Sequence, residues 1–143
     1  MPSQLAQGLR CPERFLVLHY WNPAYLIPLV EIVPHAATRR GVFDTTKQLL
    51  SRCGKTPIVL RREVPGVIGN RLAFALQREA MALVEEGIAS PEDIDDVVWA
   101  GFGRRVMASG GLARRTWAVW MCNTPSANRC FPISVLSENR RRN

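Results

Sequence analysis

Three residues in the first half of this 143-residue chain are of types and at spacings that could do chemistry: His19, Glu31 and Asn70. His19 and Glu31 lie twelve positions apart on two neighbouring short extended segments, so a hairpin-like return would bring imidazole and carboxylate within hydrogen-bond reach. Such a pair has a clear use. An imidazole takes a proton from a substrate hydroxyl, while a partly buried carboxylate fixes its tautomer and stabilises the imidazolium that forms. Residue type alone leaves a plainer reading open: a histidine beside Tyr20 and Trp21 is more often a satisfied structural residue, and Glu31 could pair with an arginine. Asn70 follows Pro65-Gly66-Val67-Ile68-Gly69, where its amide could bind a carbonyl or hydroxyl, although a polar residue at a helix start more commonly serves the helix itself. Gly101-x-Gly103 follows no strand and lacks a third glycine, so it is not a dinucleotide fingerprint. The cysteines at 11, 53, 122 and 130 show no Cys-x-x-Cys spacing, and neither His19 nor His35 joins them in a ligand pattern. They read as reduced thiols, with no metal site.

The elements that must position these residues follow from the apolar pattern. The run Arg14 to Val17 leads into His19-Tyr20-Trp21-Asn22-Pro23 and reads as a buried strand ending at the proline, with His19 near the strand's end. After Pro28, period two in Leu29-Val30-Glu31-Ile32-Val33 places Leu29, Glu31 and Val33 on one side. Thr38 is expected to cap a helix reaching about Cys53, with Val42, Thr46, Leu49 and Leu50 facing inward and Gly54 as its stop. Thr56 to Leu60 reads as a strand. Beyond the break at Pro65-Gly66, a long helix runs to about Glu86, with Ile68, Leu72, Ala75, Leu76, Leu83 and Val84 near helical spacing and Gly87 ending it. Ser90-Pro91-Glu92-Asp93 starts another helix, with a cap, a proline at the first position and acidic residues facing the dipole. That helix should reach about Ala100. After Gly110-Gly111 the apolar residues lose any period, and no fold is assigned.

Composition bounds the rest. At 47% hydrophobic the chain can build one ordinary core and is too short for two full domains. Its longest apolar stretch, Trp21 to Val33, is broken by Asn22, two prolines and Glu31, short of the ~18 residues of a membrane span. The N-terminus has neither the basic start nor the apolar run of a secretory signal, so a cytoplasmic or organelle-interior location is the expectation. The net charge of +7 is uneven: residues 1–110 hold 13 Lys plus Arg against 11 Asp plus Glu, whereas 111–143 hold six Arg against Glu138. The tail's arginines lack regular aromatic interleaving, which argues against specific nucleic-acid recognition.

Five blocks in order decide between the alternatives: Arg14-Phe15-Leu16-Val17-Leu18-His19-Tyr20-Trp21-Asn22-Pro23, Leu29-Val30-Glu31-Ile32-Val33, Gly54-Lys55-Thr56-Pro57, Pro65-Gly66-Val67-Ile68-Gly69-Asn70-Arg71, and Glu85 to Asp95. Together they resemble the 3-hydroxyacyl-CoA dehydrogenase family over roughly residues 4–109. The resemblance implies NAD-dependent oxidation of an L-3-hydroxyacyl-CoA to the 3-ketoacyl-CoA of fatty-acid β-oxidation. It implies His19 as catalytic base, Glu31 as its orienting partner and Asn70 as a substrate-binding residue. It also implies an α/β fold followed by an all-α one. Residues 1–63 would be the C-terminal edge of a Rossmann-type NAD-binding domain, 64–110 the first helices of a helical dimerisation domain, and 111–143 an irregular tail. Relatives acting on carnitine, gulonate or short 3-hydroxy acids are not separated by these blocks.

Two departures from the family pattern shape the expectation. The glycine fingerprint that cradles NAD and the family's active-site serine are both missing, so the chain is expected to be a fragment that does not bind NAD by itself. At the other end, re-reading the codons from Gly111 one base earlier permits Pro-Arg-Glu-Thr-Asp-Leu-Gly-Gly-Leu-Asp-Val, close to the family's continuation. Three of those residues are forced: Trp117-Ala118 yields Gly, Trp120-Met121 yields Asp and Met121-Cys122 yields Val. A frameshifted tail is therefore expected. The rival expectation is a non-enzymatic module that keeps the dimerising helices and pairs with a second copy or a full-length relative.

Overall fold

The computed structural model describes residues 1–110, and the expectations for 111–143, the frameshift among them, lie outside the described residues. The elements are α1 (Pro2–Leu5), a 3-10 turn (Pro12–Arg14), β1 (Val17–Tyr20), β2 (Leu29–Val33), α2 (Arg40–Arg52), β3 (Thr56–Val59), α3 (Gly69–Glu85), α4 (Pro91–Asp96), a π-helical turn (Val97–Phe102) and α5 (Gly103–Ser109). The chain divides into two compact units, Met1–Glu79 and the residues from Ala80 onward.

In the first unit β2 is the central strand of a three-stranded sheet, antiparallel to β1 and parallel to β3. A parallel neighbour needs a crossover, and α2 supplies it. Register places His19 opposite Glu31 and Leu18 opposite Ile32 on one side of β2, and Ile58 opposite Glu31 on the other. Directly opposed residues share a face. Val17, His19, Leu29, Glu31, Val33, Thr56 and Ile58 therefore line one face of the sheet, and the opposite face carries the core, where Val30 and Ile32 pack with Leu50 of α2, joined by Leu16, Leu18 and Phe43. Both faces of β2 are covered, as its nearly unbroken apolar run suggests.

The boundaries of α2 differ from expectation for identifiable reasons. Thr38 does not cap the helix: its hydroxyl donates to the Phe15 carbonyl at 2.8 Å and accepts from the His35 amide at 3.1 Å, fastening the chain beside β1. The helix starts after Arg39, which offers no side-chain cap. Leu50 is buried, but Leu49 is 59% exposed, because the stripe over the sheet runs through Phe43 and Leu50, two turns apart. The end is as expected. Gly54 at φ +73° lets its amide reach the Ser51 carbonyl and the Lys55 amide reach that of Leu50, the Schellman pattern.

In the second unit Gly87 closes α3 the same way, with its amide on Val84 and that of Ile88 on Leu83. Ser90 caps α4 as expected, accepting from the Asp93 amide at 3.1 Å. The regular helix to Ala100 gives way after Asp96 to a π turn in which Gly101 adopts φ −100°, ψ −116°. A glycine without side-chain restraint is a common place for such a kink. Among the described residues no helix is long and apolar enough to cross a membrane.

Candidate active site

The polar side chains converge on the sheet face opposite the core. His19 Nδ1 lies 3.0 Å from Glu31 Oε2, across the antiparallel pair. The other carboxylate oxygen, Oε1, accepts the Ile68 amide at 2.8 Å and the Gly69 amide at 3.1 Å, where the chain enters α3. A carboxylate at a helix start meets amide N–H groups that have no partner within the helix, and it lies at the positive end of the helix dipole. Strand β2 and the start of α3 are thus joined through one side chain.

Burial by itself raises the proton affinity of Glu31. The amides of Gly69 and Ile68, the His19 ring and the nearby Trp21 indole together outweigh that effect and hold the carboxyl below its ordinary 4.5. An ionised carboxylate only accepts, so the proton between the two side chains sits on Nδ1, and in the neutral form of the ring that tautomer leaves Nε2 as the acceptor. Exposure is graded accordingly: the His19 side chain is 31% exposed and that of Glu31 only 2%. The pair is an imidazole open to solvent, backed by a sealed anion.

The approach of the two amides has a conformational cost. Gly66 and Val67 both have positive φ, +74° and +46°, and for a β-branched residue that region is strained by about 1–3 kcal/mol. The two residues turn the backbone so that the next two N–H groups face the same oxygen. On the other side Trp21 covers the start of α3. Its ring stands edge-on to His19, centroids 6.4 Å apart, and Nε1 is buried without an acceptor in hydrogen-bonding geometry. The loop carrying Trp21 is held by Lys55, whose Nζ donates to the carbonyls of Ala24 and Ile27.

His19 and Glu31 are therefore brought together, while Asn70 stands in the first turn of α3, next to Gly69, and its side chain makes no hydrogen bond among the described residues. Trp21, Val67 and the Ile68 and Gly69 amides were not among the residues singled out by type. The glycine immediately before Asn70 is the signal that could have pointed to a close approach there.

Family models fit the chain in two consecutive segments: the 3-hydroxyacyl-CoA dehydrogenase NAD binding domain over residues 1–64 and the C-terminal domain of the same enzyme over residues 66–115. The chain belongs to the 3-hydroxyacyl-CoA dehydrogenase family. Among the relatives of this dehydrogenase-family chain, a human lambda-crystallin homolog is 45% identical over 112 residues, 78% of this chain and 35% of its own length. L-Carnitine dehydrogenase of Pseudomonas putida is 42% identical over 118 residues, 82% of this chain and 37% of the relative. The crystal structure of a 5-formyl-3-hydroxy-2-methylpyridine 4-carboxylic acid 5-dehydrogenase, an NAD+-dependent dismutase, superposes with a TM-score of 0.75 at 33% identity, covering 85% of this chain and 38% of that one. The chain thus spans little more than a third of the length of these relatives.

NAD is the cofactor of the dehydrogenase family, and its pyrophosphate is held where a glycine-rich turn leads from a strand into a helix. Among the described residues the crossover unit β2–α2–β3 connects strand to helix through Pro34-His35-Ala36-Ala37-Thr38-Arg39, with no glycine, and Gly101 and Gly103 stand in a helical kink. These residues do not fit that role. What the described part holds instead is the hydrogen-bonded His19–Glu31 pair.

Proposed function

We propose that this chain carries the proton-accepting pair of an NAD-dependent dehydrogenase that oxidises the 3-hydroxyl of an L-3-hydroxyacyl-CoA to a 3-ketone, the dehydrogenation step of fatty-acid β-oxidation. The observation that carries the reading is the single hydrogen bond from His19 Nδ1 to a buried, ionised Glu31, which leaves Nε2 free on the exposed side. Oxidation of a secondary alcohol releases a hydride from carbon and a proton from oxygen. His19 Nε2 takes the proton, and Glu31 stabilises the imidazolium that results. Asn70, one residue beyond the amide that holds Glu31, positions the substrate's oxygen. The hydride acceptor is bound by a glycine-rich unit that the described residues do not provide. The names of its relatives, carnitine and a pyridine carboxylate dehydrogenase among them, support the broader class of hydroxyl-bearing acids.

The test is His19→Ala in an enzyme completed by joining the nucleotide-binding portion of a family member to the front of this chain. Turnover should fall roughly 10²–10⁴-fold with NAD affinity unchanged. Retained turnover would sink the assignment.

A second reading is supported by the exposed apolar side chains of α3, Leu72, Phe74 and Leu76. In it the segment 64–110 associates with a second copy or a full-length relative, without chemistry of its own. Capture of such a relative, with no turnover from the completed enzyme, would favour it.

A further inference from the structure

The start of α3 and the loop after β1 meet at a point where there is room for only one side chain. A Cβ placed on Gly69 would lie 2.3 Å from Trp21 Cζ2, 2.9 Å from Cε2 and 3.1 Å from Nε1. The first two separations are shorter than van der Waals contact permits, and the atoms in the way belong to a rigid ring, so a methyl group at 69 must displace either the indole or the helix start. Either movement reaches the pair. The Gly69 amide is one of the two that hold Glu31 Oε1, and the indole stands edge-on to the His19 ring at 70°.

We propose that Trp21 and Gly69 form a size-matched pair that positions the His19–Glu31 couple, the indole filling the volume that a side chain at 69 would occupy. This rests on reading that couple as the proton acceptor. Trp21 acts through others and is a positioning residue. Its ring limits the tilt of the imidazole and keeps water from the carboxylate, while its close seat on Gly69 lets the α3 amides come within bonding distance of Oε1. The buried indole N–H makes no well-formed hydrogen bond, although it lies near enough to Glu31 to favour the ionised carboxylate, so the ring is seated mainly by packing. His19 is the titratable side chain in contact with Glu31; from β3 the opposed residue is the apolar Ile58, and α3 presents backbone amides.

The test is a reciprocal size exchange in the full chain, read by thermal unfolding and by the ¹³C titration of the Glu31 carboxyl. Gly69→Ala should lower the melting temperature by about 5 °C or more and move the Glu31 midpoint up toward 4.5, because the amides are pushed off the carboxylate. Adding Trp21→Phe should recover at least half of the lost melting temperature and bring the Glu31 midpoint back down to that of Trp21→Phe alone, since the smaller ring vacates the position of Cζ2, the atom nearest the added methyl group. If Gly69→Ala does not fold, Trp21→Phe and the double variant are compared directly, and they should differ little in either readout. Additive losses of melting temperature, or a Glu31 midpoint that ignores the exchange, would overturn the proposal. Neither readout needs turnover. Rescue seen together with an inactive completed enzyme would leave the size-matched pair standing and remove only the proposed reaction.

Discussion

The Gly69 amide and the Glu31 carboxylate, 38 residues apart in sequence, are 3.1 Å apart in space. That bond, its neighbour from Ile68 and the contact with His19 make Glu31 a stabilising anion whose proton affinity is lower in the folded chain than in the unfolded one. A carboxyl shifted in that direction contributes stability that is fully present above the unfolded value of 4.5 and is lost as pH falls through the lower folded value. Glu31→Gln should cost about 2 kcal/mol at neutral pH, and in urea titrations between pH 5 and pH 2 its stability should fall less steeply than that of the parent. Some slope will remain. Glu63, held down by the Ser3 hydroxyl and then by the Ser3 amide, titrates in the same window. Parallel curves for the two proteins would show that Glu31 is not the group responsible.

Val67 offers a test of strain. At φ +46° a valine is in a region that glycine enters freely, so Val67→Gly should leave stability within about 1 kcal/mol of the parent. The half-buried side chain is lost, but the strain is released with it. The same change at an ordinary half-buried position would cost about 2 kcal/mol. Chemical denaturation distinguishes the two, and a loss of that larger size would mean that Val67 is not strained.

Lys55 tethers the loop that carries Trp21, and its removal should loosen that loop selectively. Lys55→Met keeps most of the apolar stem and deletes the donors to the Ala24 and Ile27 carbonyls. A stability loss of about 1 kcal/mol is expected, with faster chymotrypsin cleavage after Tyr25, which is 89% exposed. An unchanged cleavage rate would show that the loop is held by other contacts.

In the second unit, Ser90→Ala should destabilise α4 by about 1 kcal/mol, because the Asp93 amide loses its acceptor. Amide hydrogen exchange at Glu92 and Asp93 reads this locally. If exchange there is unaltered, the cap does not limit opening of the helix.

Much of this arrangement was legible in the residues. Period two in Leu29 to Val33 put Glu31 among apolar neighbours, and a short return placed it near His19, because a strand's alternation is local and needs no tertiary knowledge. Gly54 and Gly87 ended their helices for the same reason: positive φ is a property of one residue and its nearest carbonyls. Thr38 misled because its hydroxyl is committed elsewhere: it donates to the carbonyl of Phe15, 23 positions away, and accepts from the His35 amide where a cap would accept from a helix amide. The seat of Trp21 was illegible because it depends on a helix start 48 positions further along the chain: the glycine at 69 hints at a close approach, but nothing local says which ring makes it. The same holds for Val67, whose strained φ is imposed by amides that must face a distant carboxylate.

The doubly anchored carboxylate also couples mechanics to proton chemistry. One oxygen of Glu31 is bonded to the entrance of α3 and the other to the imidazole, so a tug on the helix start is transmitted through three covalent atoms to the ring that would receive a proton. If the helix start drifts away, the carboxylate loses its amides and keeps its burial, and its affinity for a proton climbs. Anything that grips α3 near Gly69 therefore has a lever on the basicity of the site without touching it.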